Sequence, residues 1–142
     1  MKIFCVVETN VIVSALLKRT STPGKIVQHI LAGIVIPVFS KEIISEYKEV
    51  LSRKKFNFSP KVIEKIIKMI IKNGTELSGI QTEEKPSDPK DVIFYEVTMD
   101  FRQTADTFLV TGNIKDFPIK PFVVTPKEMM EIIEKDKNGK RC

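Results

Sequence analysis

One histidine and two cysteines among 142 residues remove most chemistry that depends on imidazole or thiol. A serine or cysteine nucleophile needs a base within reach, and His29, the sole imidazole, lies among apolar residues of an expected helix. Cys5 falls inside an apolar run and Cys142 is the last residue; they are poorly placed to bridge, and neither belongs to a metal-binding pair. Long hydrophobic runs are also missing. The longest, such as IVIPVF, fall far short of a membrane span, and Lys2 leads straight into a short apolar run ended by an acid, unlike a signal peptide. A cytoplasmic protein that does not enter a membrane is expected. Neither GxGxxG nor GxxxxGK[ST] follows that first run, which removes the best support for a dinucleotide or nucleoside-triphosphate site.

What is present suits one domain with a real core: 42% hydrophobic residues in a chain too short for two comfortable units. The domain is expected over 1–135, with 136–142 a basic, flexible tail containing Lys137, Lys140 and Arg141. Net charge is +5 and the pI near 9.2, permitting an anionic partner without proving one. Basic residues concentrate at Arg53, Lys54 and Lys55, and at Lys61, Lys65, Lys68 and Lys72. The second group recurs every three to four residues and reads as the solvent face of a helix.

Periodicity and punctuation give alternating strands and helices. Strands are expected over 2–7, 34–39, 75–80, 108–111 and 121–124. Helices are expected over 11–17, from Pro23 to Gly33, over 41–53 behind Ser40, over 60–73 behind Ser59, over 91–102 with Asp88 or a neighbour as cap, and over 126–135. Val62, Ile63, Ile66, Ile67, Ile70 and Ile71 make a stripe broad enough to pack hard or to serve as a homodimer face. The alternation implies a parallel sheet with helices on both faces.

The first strand stops abruptly at Glu8-Thr9-Asn10. A strand covered on both faces needs no carboxylate at its end, whereas open α/β sheets bind ligands at their carboxyl edge. Other polar groups fall at comparable places: Glu46 one to two turns into its helix, Asp91 at a helix head, and Asn113 with Asp116 after FLVT. Carboxylates gathered together repel one another unless a divalent cation neutralises them. Oxygen donors without His or Cys favour Mg²⁺ or Mn²⁺ over zinc. The chemistry such a site supports is phosphodiester hydrolysis, with no nucleophilic side chain required.

The segments VVETNVIVSALL, SKEIISEYKEVLSRKKF, SDPKDVIFYEV and FLVTGNIKDFP resemble the PIN-domain family, in particular the toxin components of bacterial and archaeal toxin-antitoxin systems. The similarity runs from the first strand to the TPKEMMEII helix. It implies a three-layer α/β/α sandwich with a mostly parallel central sheet. It also implies a metal-dependent endoribonuclease acting on single-stranded RNA, often dimeric and inhibited by a small antitoxin protein. Carried over by position, the acidic set falls on Glu8, Glu46, Asp91 and Asn113, with Asp116 three residues further on as a further acid. Asn10 and Thr111 match polar positions that orient ligands or bind water, and Asp88 either joins them or caps the helix.

Two positions depart from the family pattern. Glu8 stands where Asp is usual, moving the carboxylate outward by one methylene, about 1.5 Å if extended, and Asn113 replaces an acid. These departures keep open a catalytically weak or inactive PIN-fold module that binds RNA or a protein partner. A response-regulator-like receiver would need adjacent acids after the first strand and a phosphorylatable Asp after a middle one, and IVIPVFS supplies none.

Overall fold

A computed structural model describes residues 2–137 of the chain. Its centre is β1, Ile3–Val7, whose β-branched and aromatic residues suit a strand covered on both faces. Helix α1, Thr9–Leu17, follows at once, then α2, Thr22–Leu31, whose Ser21 caps the Gly24 N–H. Strand β2, Val35–Phe39, precedes α3, Lys41–Leu51, capped by Ser40 on the Ile43 N–H. Helix α4, Pro60–Asn73, leads to β3, Thr75–Glu76; then come α5, Val92–Arg102, β4, Thr107–Val110, β5, Val123–Val124, and α6, Pro126–Lys137.

All strand pairs are parallel, in the order β3-β2-β1-β4-β5. Alternate side chains of β1 mark the two faces. Cys5 touches the Met129 sulfur of α6, whereas Phe4 packs its ring against Phe101 of α5, centroids 4.8 Å apart. Helices therefore cover both sides, a three-layer α/β/α sandwich. The strand order reverses direction between β1 and β4, so the topological switch point, where such sheets bind ligands, lies at the carboxyl ends of that pair.

The core is continuous, with Val6, Ile12, Ile30, Ile43, Leu51, Leu109 and Ile133 essentially sealed from solvent; each contributes on the order of 1.5–3 kcal/mol by leaving water. The α4 stripe divides: Ile66, Ile67 and Ile70 enter the core, while Ile71 stays exposed. Lys61, Lys65, Lys68 and Lys72 form the exposed opposite face. Gly74 is required by close approach, since a Cβ there would stand 2.4 Å from the Pro37 carbonyl oxygen.

Several boundaries differ from the sequence expectation. The first helix begins at Thr9 rather than residue 11, directly behind Glu8. The strand expected over 75–80 is two residues long, because β2 ends at Phe39, whose carbonyl takes the last bond from the Leu77 N–H, and Gly79 then turns at φ 90°. The strand expected over 121–124 shortens to Val123–Val124, since Pro121 has no N–H and a turn closes from the Val123 N–H to the Lys120 carbonyl. Helix α6 continues to Lys137, so residues 136 and 137 of the expected flexible tail are helical. The rest of that tail, with Lys140, Arg141 and Cys142, lies outside the described residues. No helix among the described residues is long and apolar enough to cross a membrane.

Candidate functional site

At the switch point the sheet register does the positioning. Val7 pairs with Val110, so the next residues, Glu8 and Thr111, stand side by side on the α5 face. The Glu8 N–H donates to the Val110 carbonyl at 3.0 Å, and the Thr111 hydroxyl donates to Glu8 Oε1 at 2.8 Å. That hydroxyl also accepts from the Asn113 N–H at 3.0 Å, linking β1, β4 and the turn after β4 in one chain of bonds. Glu8 occupies the N-cap position of α1 but makes no side-chain cap bond; its carboxylate is turned into the site instead. Both Glu8 and Thr111 are buried.

Asp91 reaches Glu8 from a three-residue 3₁₀ turn, Pro89–Asp91, ahead of α5. Asp88 fixes this turn by accepting from the Lys90 N–H at 3.0 Å, and Ser87 N–H bonds the Asp116 carbonyl at 2.9 Å, tying the loop to the turn after β4. The Glu8 and Asp91 side chains stand close enough that the ionisation of each bears on the other. Burial and the neighbouring Glu8 carboxylate push Asp91 up to about 7, with Asp88 and Asp116 adding to the rise. Glu8 is raised chiefly by burial, while the bond from Thr111 and the approach of Asp91 pull the other way.

Glu46 faces the same space from α3 and accepts from the Thr9 hydroxyl at 3.3 Å. Glu8, Asn10, Glu46, Asp88, Asp91, Asn113 and Asp116 all line one polar cleft of about 190 Å³. The sheet edge thus gathers every position singled out in sequence, with Thr111 beneath as the support of Glu8. Asn10, Asp88 and Asn113 are exposed at its mouth. His29 does not line it.

Sequence reasoning missed four contributors. Arg53 and Lys90 bring positive charge to the cleft, and Thr9 orients Glu46. Glu46, Val50 and Arg53 recur at i, i+4, i+7, the spacing of one helix face, which was the available signal for Arg53. Tyr47 is buried, and its hydroxyl donates to the Val7 carbonyl just before Glu8. Desolvation first, then the charges of Glu8 and Glu46, raises that phenol, keeping it a neutral donor.

Among the described residues, no three of the His, Cys, Asp and Glu side chains converge closely enough to enclose an ion unaided. Mg²⁺, however, commonly uses one or two carboxylates and keeps several waters. A cleft whose candidate donors to a cation are oxygens, built around the Glu8–Asp91 pair with mutual repulsion to relieve, fits that demand. A family model described as PIN domain matches residues 5–115, ending just short of Asp116. No curated protein and no solved structure gives a significant match.

Proposed function

The chain belongs to the PIN domain family, whose members are generally metal-dependent nucleases, and from that premise we propose that its acidic cleft hydrolyses phosphodiester bonds of single-stranded RNA with Mg²⁺ or Mn²⁺. The observation that carries this reading is the meeting of Glu8 and Asp91 at the switch point, with Glu46 and Asp116 lining the same cleft. Glu8 and Asp91 would hold the cation, assisted by Glu46, Asp116 and the Asn113 amide. The chemistry a divalent cation supplies in such a site is Lewis-acid stabilisation of phosphate charge and acidification of the attacking water.

The protein's own residues prepare that site. Thr111 fixes the Glu8 carboxylate, Thr9 orients Glu46, and Tyr47 pins the end of β1. Arg53, held in a two-bond fork by Glu49 at 2.8 Å, and Lys90 set cationic charge beside the acids, where phosphate enters. We extend the proposal to a toxin role with a small antitoxin as partner, on the resemblance of the VVETN, SKEIISEYKEV and LVTGN segments. Expression should arrest growth, Asp91→Ala should relieve the arrest, and a short upstream gene should restore growth when co-expressed; unimpaired growth on expression of the native chain would count against a toxin.

A second reading has its own observation. Glu8 spans to Thr111 and Asp91 together, so its longer side chain occupies space an Asp would leave to the cation, as expected of a module that binds RNA or protein without cutting. If the native chain fails to cleave RNA with either metal and Glu8→Asp creates cleavage, this second reading replaces the first.

A further inference from the structure

The cleft is small and acidic, yet its proposed substrate is a polyanion many nucleotides long. The chain must offer cationic surface where the strand leaves the site. Arg53 stands at the cleft wall, and directly behind it runs the 3₁₀ turn Lys54–Phe56, with both lysines exposed. From Val50 to Ile63 the sequence contains no acid at all, while Arg53, Lys54, Lys55 and Lys61 lie within that span. Arg53 is paired with Glu49 at 2.8 Å, as Lys68 of α4 is with Glu64 at 2.7 Å, whereas Lys54 and Lys55 form no salt bridge among the described residues.

The turn is also held in shape. Asn57 ends it in the left-handed region at φ 54°, its N–H bonding the Lys54 carbonyl. Phe56 and Phe58 stack at 5.7 Å with their planes 14° apart, half-buried against the core, and the Lys55 ammonium lies 5.1 Å from the Phe56 ring centre. A rigid mount presents the lysines at low ordering cost, whereas a solvated loop would pay that cost on binding.

We propose that the 53–58 segment is the exit track for single-stranded RNA, with Lys54 and Lys55 contacting phosphates next to the one engaged at the cleft by Arg53. This rests on the nuclease reading for the identity of the polyanion, but its test does not need cleavage. Binding of a fluorescein-labelled single-stranded RNA to the full chain is measured by anisotropy in chelator over a range of salt, for the native chain and for Lys54→Ala/Lys55→Ala. The slope of log affinity against log salt should fall by about 1.4 in the variant, from about 0.7 per lost phosphate contact on a single strand. A matched change on α6, Lys127→Ala/Lys135→Ala, should leave the slope unaltered, and circular dichroism should show all three folded. Equal slopes for the native chain and the Lys54/Lys55 variant, or an equal drop in the α6 variant, would overturn the track. Loss of slope together with no metal-dependent cleavage would uphold the track and count against the nuclease.

Discussion

The Thr111 hydroxyl donates to Glu8 Oε1 at 2.8 Å, joining residues 103 positions apart in sequence across the carboxyl ends of β1 and β4. The bond does two things at once: it satisfies a buried carboxylate and fixes its direction into the cleft. Thr111→Val keeps the shape and removes the donor. Urea unfolding at neutral pH should show a loss of about 1–3 kcal/mol, the range for a buried hydrogen bond to a charged group. A change within about 0.5 kcal/mol, as at an ordinary surface site, would mean that Glu8 is satisfied by other means.

Asp91 gives stability a pH dependence whose sign is fixed. Its folded value of about 7 stands above its ordinary 3.8, so the folded chain holds a proton that the unfolded chain has released. Stability from this group is present in acid and is lost as pH rises toward and through 7. Glu8, also raised, acts in the same direction, and Glu46, Asp88 and Asp116 supply the surrounding negative charge. In chelator, Asp91→Asn should therefore gain stability relative to the native chain by about 1–2 kcal/mol more at pH 8 than at pH 5. A difference that is the same at both pH values would contradict the carboxyl pair.

A divalent cation should relieve the same repulsion. Mn²⁺ or Mg²⁺ should raise the melting temperature at pH 8, by the equivalent of about 2.7 kcal/mol at a hundredfold excess over its dissociation constant, and by less at pH 5, where a proton occupies the Glu8–Asp91 pair. Thermal scans with and without chelator provide the check. Equal shifts in the native chain and in Asp91→Asn would place the ion elsewhere.

Tyr47 is a positioning residue. Its hydroxyl is the side-chain donor to the Val7 carbonyl, and Val7 immediately precedes Glu8. Tyr47→Phe should cost about 1–2 kcal/mol in urea unfolding by leaving that buried carbonyl short of a partner, and it should weaken metal binding along with stability. Tyr47→Phe with native metal affinity would confine the phenol to a packing role.

Much of this arrangement was legible in the chain because strand periodicity and helix punctuation are local. Ile3 to Val7 reads as a covered strand, Ser40 and Ser59 as helix caps, and the acid after β1 as a residue at the sheet edge. The edge strands were over-read because their lengths depend on partners: β3 stops where β2 runs out, and β5 where Pro121 interrupts the ladder. Tyr47 and Arg53 escaped for a related reason. Each acquires its role from an element distant in sequence, Tyr47 from β1 and Arg53 from the loop that carries Lys90 and Asp91.

A metal-dependent nuclease centre at Glu8 and Asp91 is tested most directly by incubating the purified full chain with end-labelled single-stranded RNA in Mn²⁺, in Mg²⁺ and in chelator. Cleavage by the native chain with metal, its loss in chelator and its loss in Asp91→Ala are the predicted results. Intact RNA in both metals, with cleavage appearing only when Glu8→Asp shortens the side chain, would contradict the account and leave a PIN fold that binds without cutting.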